Sequence, residues 1–138
     1  MKKITLLFAI SLLIITNSFS QETVKYEQIN SNTYKLTYYT NGDVKTKEQV
    51  YPLEKEENGS NYRSLDYYEE YNTEGVLIFK GNKISGRHLE FYTNGAKKVQ
   101  GAVMNAKKEG RWAYTSEDGK MTKVEIYKAG ELVNTIEY

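Results

Sequence analysis

His88 is the single histidine of this 138-residue chain, and there is no cysteine. A lone histidine can act as a general base or a metal ligand near neutral pH. A mononuclear zinc site needs three or four N, S or O ligands, and neither a cysteine nor a second histidine is there to join His88. No metal or cofactor site is expected. Asp66, Glu69, Glu70 and Glu74 stand among Tyr67, Tyr68 and Tyr71. Paired carboxylates roughly 5–10 Å apart could hydrolyse a glycosidic bond. A shallow sheet without a deep pocket does not raise an acid's pKa, so a solvated strand face is the expectation. DYYEEYNTEG also lacks the alternating ligands and distal glutamate of an EF-hand loop. Ser64, Ser85 and Ser116 have no nucleophile-elbow context. GNKISG, residues 81–86, lacks the Gly-Lys-Ser/Thr and following helix of a phosphate loop. No catalytic residue is assigned, and an enzyme is the least expected class.

The aromatic side chains are the better candidates for function. All 13 tyrosines lie beyond residue 20, beside Phe79, Phe91 and Trp112. Tyrosine favours strands and carries a polar tip. Long aliphatics are sparse, which predicts thin β structure with a largely aromatic core. One set of rings is expected to stack as core, and the other to stay exposed beside lysines. Exposed tyrosine and tryptophan suit protein or glycan contacts. The candidate binding residues are Tyr68, Tyr71, Phe91, Tyr92, Trp112 and Tyr114. Lys97, Lys98, Lys107, Lys108 and Arg111 are expected to form a solvated edge that discourages sheet-to-sheet pairing. An acidic lipid or polymer surface is the alternative partner for them.

These residues recur in register. Gly42, Gly75, Gly95 and Gly119 follow Asn41, Glu74, Asn94 and Asp118. Nine residues before each glycine the units start, at Thr33, Asp66, Gly86 and Gly110. Two positions after each start come Lys35, Tyr68, His88 and Trp112. Fifteen after come Glu48, Gly81, Gly101 and Glu125. Stretches such as TYKLTYYT and KMTKVEIY alternate with the period of two that marks half-buried strands. Each unit thus reads as strand, two-residue type I′ turn and returning strand, with both turn residues at positive φ. The units lie near residues 33–50, 66–85, 86–109 and 110–132. PLEKEENGS, residues 52–60, has one apolar residue and reads as a charged surface loop. Residues 21–32 and ELVNTIEY would be caps, with a closing strand from Thr135 to Tyr138. No convincing helix is found.

Gly86, Phe91, Tyr92, Asn94, Gly95 and Gly101 form one motif. Asn105, Lys107, Lys108, Glu109, Gly110 and Trp112 form the junction and the next start, as Gly81, Asn82, Lys83 and Gly86 do one unit earlier. Residues 66–132 thereby resemble tandem MORN-type repeats, in the bacterial variant of antitoxin-like and secreted proteins. Ala106 replaces the junction glycine, Thr115-Ser116 the aromatic pair, and His88 the usual tryptophan. The resemblance implies an elongated sheet of successive hairpins used for protein or surface contacts, with no catalytic residue to carry over.

The chain opens with Met1-Lys2-Lys3, a nearly unbroken apolar run from Ile4 to Ile15, and small residues at Ser18 and Ser20. This is the pattern of a cleavable secretory signal, cut after Ser20. The run is shorter than the ~20 residues of a membrane span. Loss of Lys2 and Lys3 takes the formal charge from +1 to −1, so bulk charge does not point to nucleic acid. Residues 21–138 would form one domain in the periplasm or outside the cell. The expected fold is all-β, an elongated single-layer antiparallel sheet of tandem β-hairpin repeats. The expected role is non-enzymatic protein binding or scaffolding. A glycan- or lipid-surface binder and an antitoxin-like immunity protein are the alternatives.

Overall fold

The computed structural model describes residues 23–57 and 59–138. The expected signal segment, residues 1–20, lies outside the described residues. Ten strands follow one another: β1 (Val24–Ile29), β2 (Asn32–Tyr38), β3 (Val44–Glu57), β4 (Ser60–Tyr71), β5 (Leu77–Asn82), β6 (Gly86–Phe91), β7 (Lys97–Met104), β8 (Lys107–Thr115), β9 (Met121–Lys128) and β10 (Glu131–Glu137). They form one antiparallel sheet in sequence order. Among the described residues there is no helix. Substantial contact is confined to neighbouring strands, so the sheet is an elongated single layer. Nine inter-strand spacings of about 4.8 Å make it roughly 43 Å long across the strands.

The four repeated turns are not type I′. In each, only the glycine has positive φ, and Asn41, Glu74, Asn94 and Asp118 do not. The glycine amide bonds three residues back, Gly42 to Tyr39 O and Gly95 to Tyr92 O, at 3.0 and 2.9 Å. These are three-residue loops, a type I turn closed by glycine in the left-handed region. Asn41 and Asn94 serve another purpose than φ: each side-chain oxygen accepts the amide just past the glycine. Beyond every loop the returning strand carries one extra residue, Lys45, Ile78, Lys98 or Thr122. Two positive φ in succession occur instead at the opposite ends of the strands, at Asn105-Ala106 and Ala129-Gly130.

Hydrogen bonds also join consecutive hairpins at both ends of the strands. Tyr39 Oη donates to Tyr71 O at 2.8 Å, and Tyr92 Oη to Thr115 O at 2.9 Å. At the other end Ala106 N donates to Ile84 O and Gly130 N to Lys108 O.

The segment expected as a charged loop is strand. Residues 52–57 extend β3, and Ser60 opens β4, so the two form a long hairpin arm. Charged residues spaced along an exposed arm are compatible with strand, because neither face there is covered. Register shifts between Glu48 and Val50, where Asp66 takes φ 57° on the facing strand. Aspartate tolerates this conformation better than most residues. The arm bends there and brings Tyr62 of β4 onto Tyr26 of β1, with rings stacked at 4.0 Å. The C-terminal strand is also longer than expected, starting at Glu131.

Directly paired residues share a face of the sheet. Tyr26, Lys35, Glu48, Tyr68, Gly81, His88 and Gly101 pair in succession from β1 to β7. Trp112 pairs with Glu125, and Glu125 with Thr135. The two halves meet at Gly101, where an added methyl would lie 2.3 Å from the indole of Trp112. One row therefore crosses all ten strands, and we call its side the ring face. Positions two and fifteen of the repeat are its alternate members. Phe79, His88, Trp112 and Tyr127 touch in sequence along it, at centroid distances of 5.0, 4.8 and 6.3 Å.

The core is less aromatic than expected. Leu36, Val50, Leu89, Val99 and Val124 are buried with only Phe79 and Trp112 among the rings. Tyrosines cannot sink fully in one layer, because their hydroxyls must stay within reach of water or a partner. Apart from the exposed Tyr51 and Tyr138, they lie half-buried.

The indole's seat on Gly101 is directly testable. Gly101→Ala should destabilise the fold by about 1–3 kcal/mol through overpacking. Trp112→Ala should cost about 3–5 kcal/mol. Urea unfolding followed by intrinsic tyrosine fluorescence measures both. Wild-type stability in Gly101→Ala would show that the indole does not need the bare backbone beneath it.

Candidate binding surface

The ring face holds two distinct arrangements. Near its C-terminal end Glu125 sits at the centre of a polar knot. Tyr114 and Tyr127 donate hydroxyls to its Oε2 at 2.6 and 2.8 Å, and Lys123 Nζ lies 2.7 Å from Oε1. The Lys123 hydrogen bond, then that of Tyr114, pulls the Glu125 carboxyl down to about 2 against its burial. Lys108 Nζ stands 4.5 Å from the Trp112 ring and 4.7 Å from that of Tyr127. It also donates to the hydroxyls of Tyr114 and Tyr127. Lys108 is thus drawn onto the rings, unlike the solvated lysine edge expected from sequence. An ammonium over aromatic faces gains about 0.5–2 kcal/mol.

In the middle of the sheet the same face opens into a shallow concavity. Glu70, Phe79 and Glu90 pair across three strands. With Ile78, Lys83, His88, Phe91, Lys98 and Val103 they line a volume of about 630 Å³. The bulges that follow the turns bring Ile78 and Lys98 to it. Its floor is apolar and its rim is charged: Lys83 pairs with Glu70, and His88 Nε2 lies 2.8 Å from Glu90 Oε1. His88 is wedged between Phe79 and Trp112, the place of a structural ring. Among the described residues no three Asp, Glu or His side chains converge on a metal-sized site.

The acidic cluster is not brought together. Glu69 and Glu70 are adjacent in β4 and so face opposite ways. On the face away from the rings Tyr71 donates to Glu69 at 2.8 Å, and Lys47 and Lys80 lie 3.6 and 3.4 Å away. Burial opposes ionisation of Glu69, yet Tyr71, Lys47 and Lys80 outweigh it and hold its pKa below the usual value. Burial, and then Glu69 itself, push the Tyr71 hydroxyl up to about 12. Asp66 is spent on the bend and Glu74 sits in a turn.

The six candidate residues therefore separate. Tyr68, Trp112 and Tyr114 are on the ring face, where Trp112 is 2 % exposed and donates Nε1 to Ala102 O. Tyr71 faces the other side. Phe91 borders the concavity. Tyr92 ties one hairpin to the next, with Lys98 5.7 Å from its ring. Tyr127 and Tyr62 were not among the candidates. Tyr127 was legible in principle, because its spacing of two from Glu125 places both on one face. Tyr62 was not, because only the bent arm brings it to Tyr26.

Comparison with protein-family models, curated proteins and solved structures finds no match.

Glu125 and Glu69 contribute to the acid response. Their folded pKa values are lowered, so they stabilise the fold above the unfolded glutamate value of about 4.3. That stability disappears as pH falls toward the folded values. Glu125→Gln should cost about 2 kcal/mol at neutral pH through lost charge-assisted hydrogen bonds. The gap to wild type should close as pH drops from about 4.5 to about 2. Melting temperature against pH for both proteins measures this; a constant gap would remove Glu125 from the acid transition.

Proposed function

We propose that this chain is an exported, non-enzymatic repeat protein of MORN-like type that binds another protein, as an interaction or scaffold module. One observation carries the reading. The single layer leaves a broad face open, and the concavity there combines an apolar floor of Phe79 with a rim of both charge signs, Glu70, Glu90, Lys83 and Lys98. Specific protein interfaces have this build, an apolar centre within a polar rim.

Glycans would need exposed ring faces, and along the row Phe79 and Trp112 are buried and His88 and Tyr127 half-buried. Anionic lipid would need free ammonium groups; Lys108 and Lys123 are drawn over rings, while Lys97 and Lys107 stay exposed, so retention of vesicles is a separate arm of the test. The covered rings favour protein over glycan. An immunity role would be one form of the same protein binding, and a toxin beside it in the genome would identify it.

The test is affinity capture from the native cell envelope with the chain as bait. A stoichiometric protein should be recovered. Lys83→Glu with Lys98→Glu, both exposed on the rim, should reduce that recovery at least tenfold, because opposed like charges cost several kcal/mol. The melting temperature should fall by only a few degrees, since an exposed ion pair and an exposed ammonium over a ring each contribute about 0.5–1 kcal/mol. Retention of only polysaccharide or vesicles would sink the proposal.

A further inference from the structure

Among the described residues the two edges of the sheet are open, and they differ in charge. β10, ELVNTIE, is exposed at every position. Leu132, Val133, Ile136 and the following Tyr138 are 44–73 % exposed. Native edge strands are protected by lysine, by proline or by a bulge. Each of β1 to β9 carries at least one lysine or arginine, and β10 carries none. Its only charges are Glu131 and Glu137. A bulge at Val133 interrupts its start, and Asn134–Glu137 continue as regular strand. The opposite edge, β1, VKYEQI, exposes Val24 and Ile29 and carries Lys25 and Glu27, so it is neutral where β10 is doubly negative.

Ten alternating strands are an even number, so β1 and β10 run in opposite directions. A second copy displaced along the sheet presents its β1 antiparallel to β10, as every internal pair is. That pairing lays the Lys25 end of β1 beside the Glu137 end of β10. Pairing β10 with itself about a two-fold axis would instead oppose Glu131 and Glu137 at both ends, with no cation. Like charges directly opposite are destabilising.

We infer that β10 is the docking edge for β1 of a second copy of this chain, so that molecules join head to tail into one continuing sheet. Such a contact is heterologous and does not close. It uses the edges and not the ring face, so it stands or falls independently of the partner proposed above. Two short strands bury less than a standard interface, so the association is weak and concentration-dependent.

Sedimentation velocity of the purified protein over a wide concentration range should show monomer giving way to dimer, trimer and longer species. Ile136→Lys on β10, which meets Lys25, and Val24→Glu on β1, which meets Glu137, should each leave only monomer. An equimolar mixture of the two should form dimer and stop there, because each supplies one intact edge. Leu132→Lys is the second β10 variant should Ile136→Lys lower the melting temperature. Amide exchange of the wild type reads the contact without substitution: the Asn134–Glu137 amides should gain protection as concentration rises. The inference is overturned by a wild type that stays monomeric throughout, or by amides whose protection is independent of concentration. Association abolished by Ile136→Lys but untouched by Val24→Glu would mean two-fold β10 pairing instead, and would equally overturn it.

Discussion

A single layer offers no opposing surface, so every apolar side chain must be covered by residues of its own sheet. Most of this structure follows from that constraint. Trp112 reaches near-complete burial by lying over Gly101, where the bare backbone leaves room for the indole. His88 and Tyr127 flank it, and Lys108 covers it. A valine at position 101 would require a second layer to receive the displaced ring. The row through Gly81 and Gly101 is where the layer gains thickness: small residues alternate with large ones, and the large ones lean over.

The same constraint explains why carboxylates sit among tyrosines. A half-buried hydroxyl needs an acceptor, and a half-buried carboxylate needs donors. Glu125 receives Tyr114 and Tyr127, Glu69 receives Tyr71, and Glu48 receives Tyr68. Lysines then cover both, with the ammonium near the carboxylate and over the rings. Among the described residues no buried side-chain N or O lacks a hydrogen-bond partner. Of the four acids that resembled a catalytic cluster in sequence, Glu69 is held in such a knot, while Glu70 pairs with Lys83 at the mid-sheet concavity.

The row was legible in the sequence before the sheet was. Lys35, Tyr68, His88 and Trp112 recur at one repeat position and Glu48, Gly81, Gly101 and Glu125 at another, and strand pairing makes them neighbours. Periodicity of two carried the strands for the same reason, since pairing imposes that period on any half-buried strand. What failed was local geometry decided by one residue. Asn94-Gly95 fits a two-residue turn, but a loop one residue longer satisfies the same pair, with the asparagine as acceptor and only the glycine at positive φ. The 52–60 segment carries no apolar alternation because its strands are covered on neither face, so the period that identifies strands is absent. Asp66, which bends that arm, looked like one acid among several. The candidate surface was legible only in part, because Glu69 and Glu70 differ by one residue and a strand sends them to opposite sides.

Contacts limited to neighbouring strands also distribute stability unevenly. In such an array each hairpin is held by its two neighbours, and the terminal units by one. The central hairpins combine the bulges, the ring contacts and the cross-hairpin hydrogen bonds, so the ring face there is held rigid. The outer strands have less: β10 has no buried residue, and the bent arm of β3 and β4 is held at its far end by the stack of Tyr62 on Tyr26. Local opening free energy falls with the number of such contacts. The proposed partner at the centre and the proposed copy at an edge would therefore not disturb each other, because no packed layer couples the two.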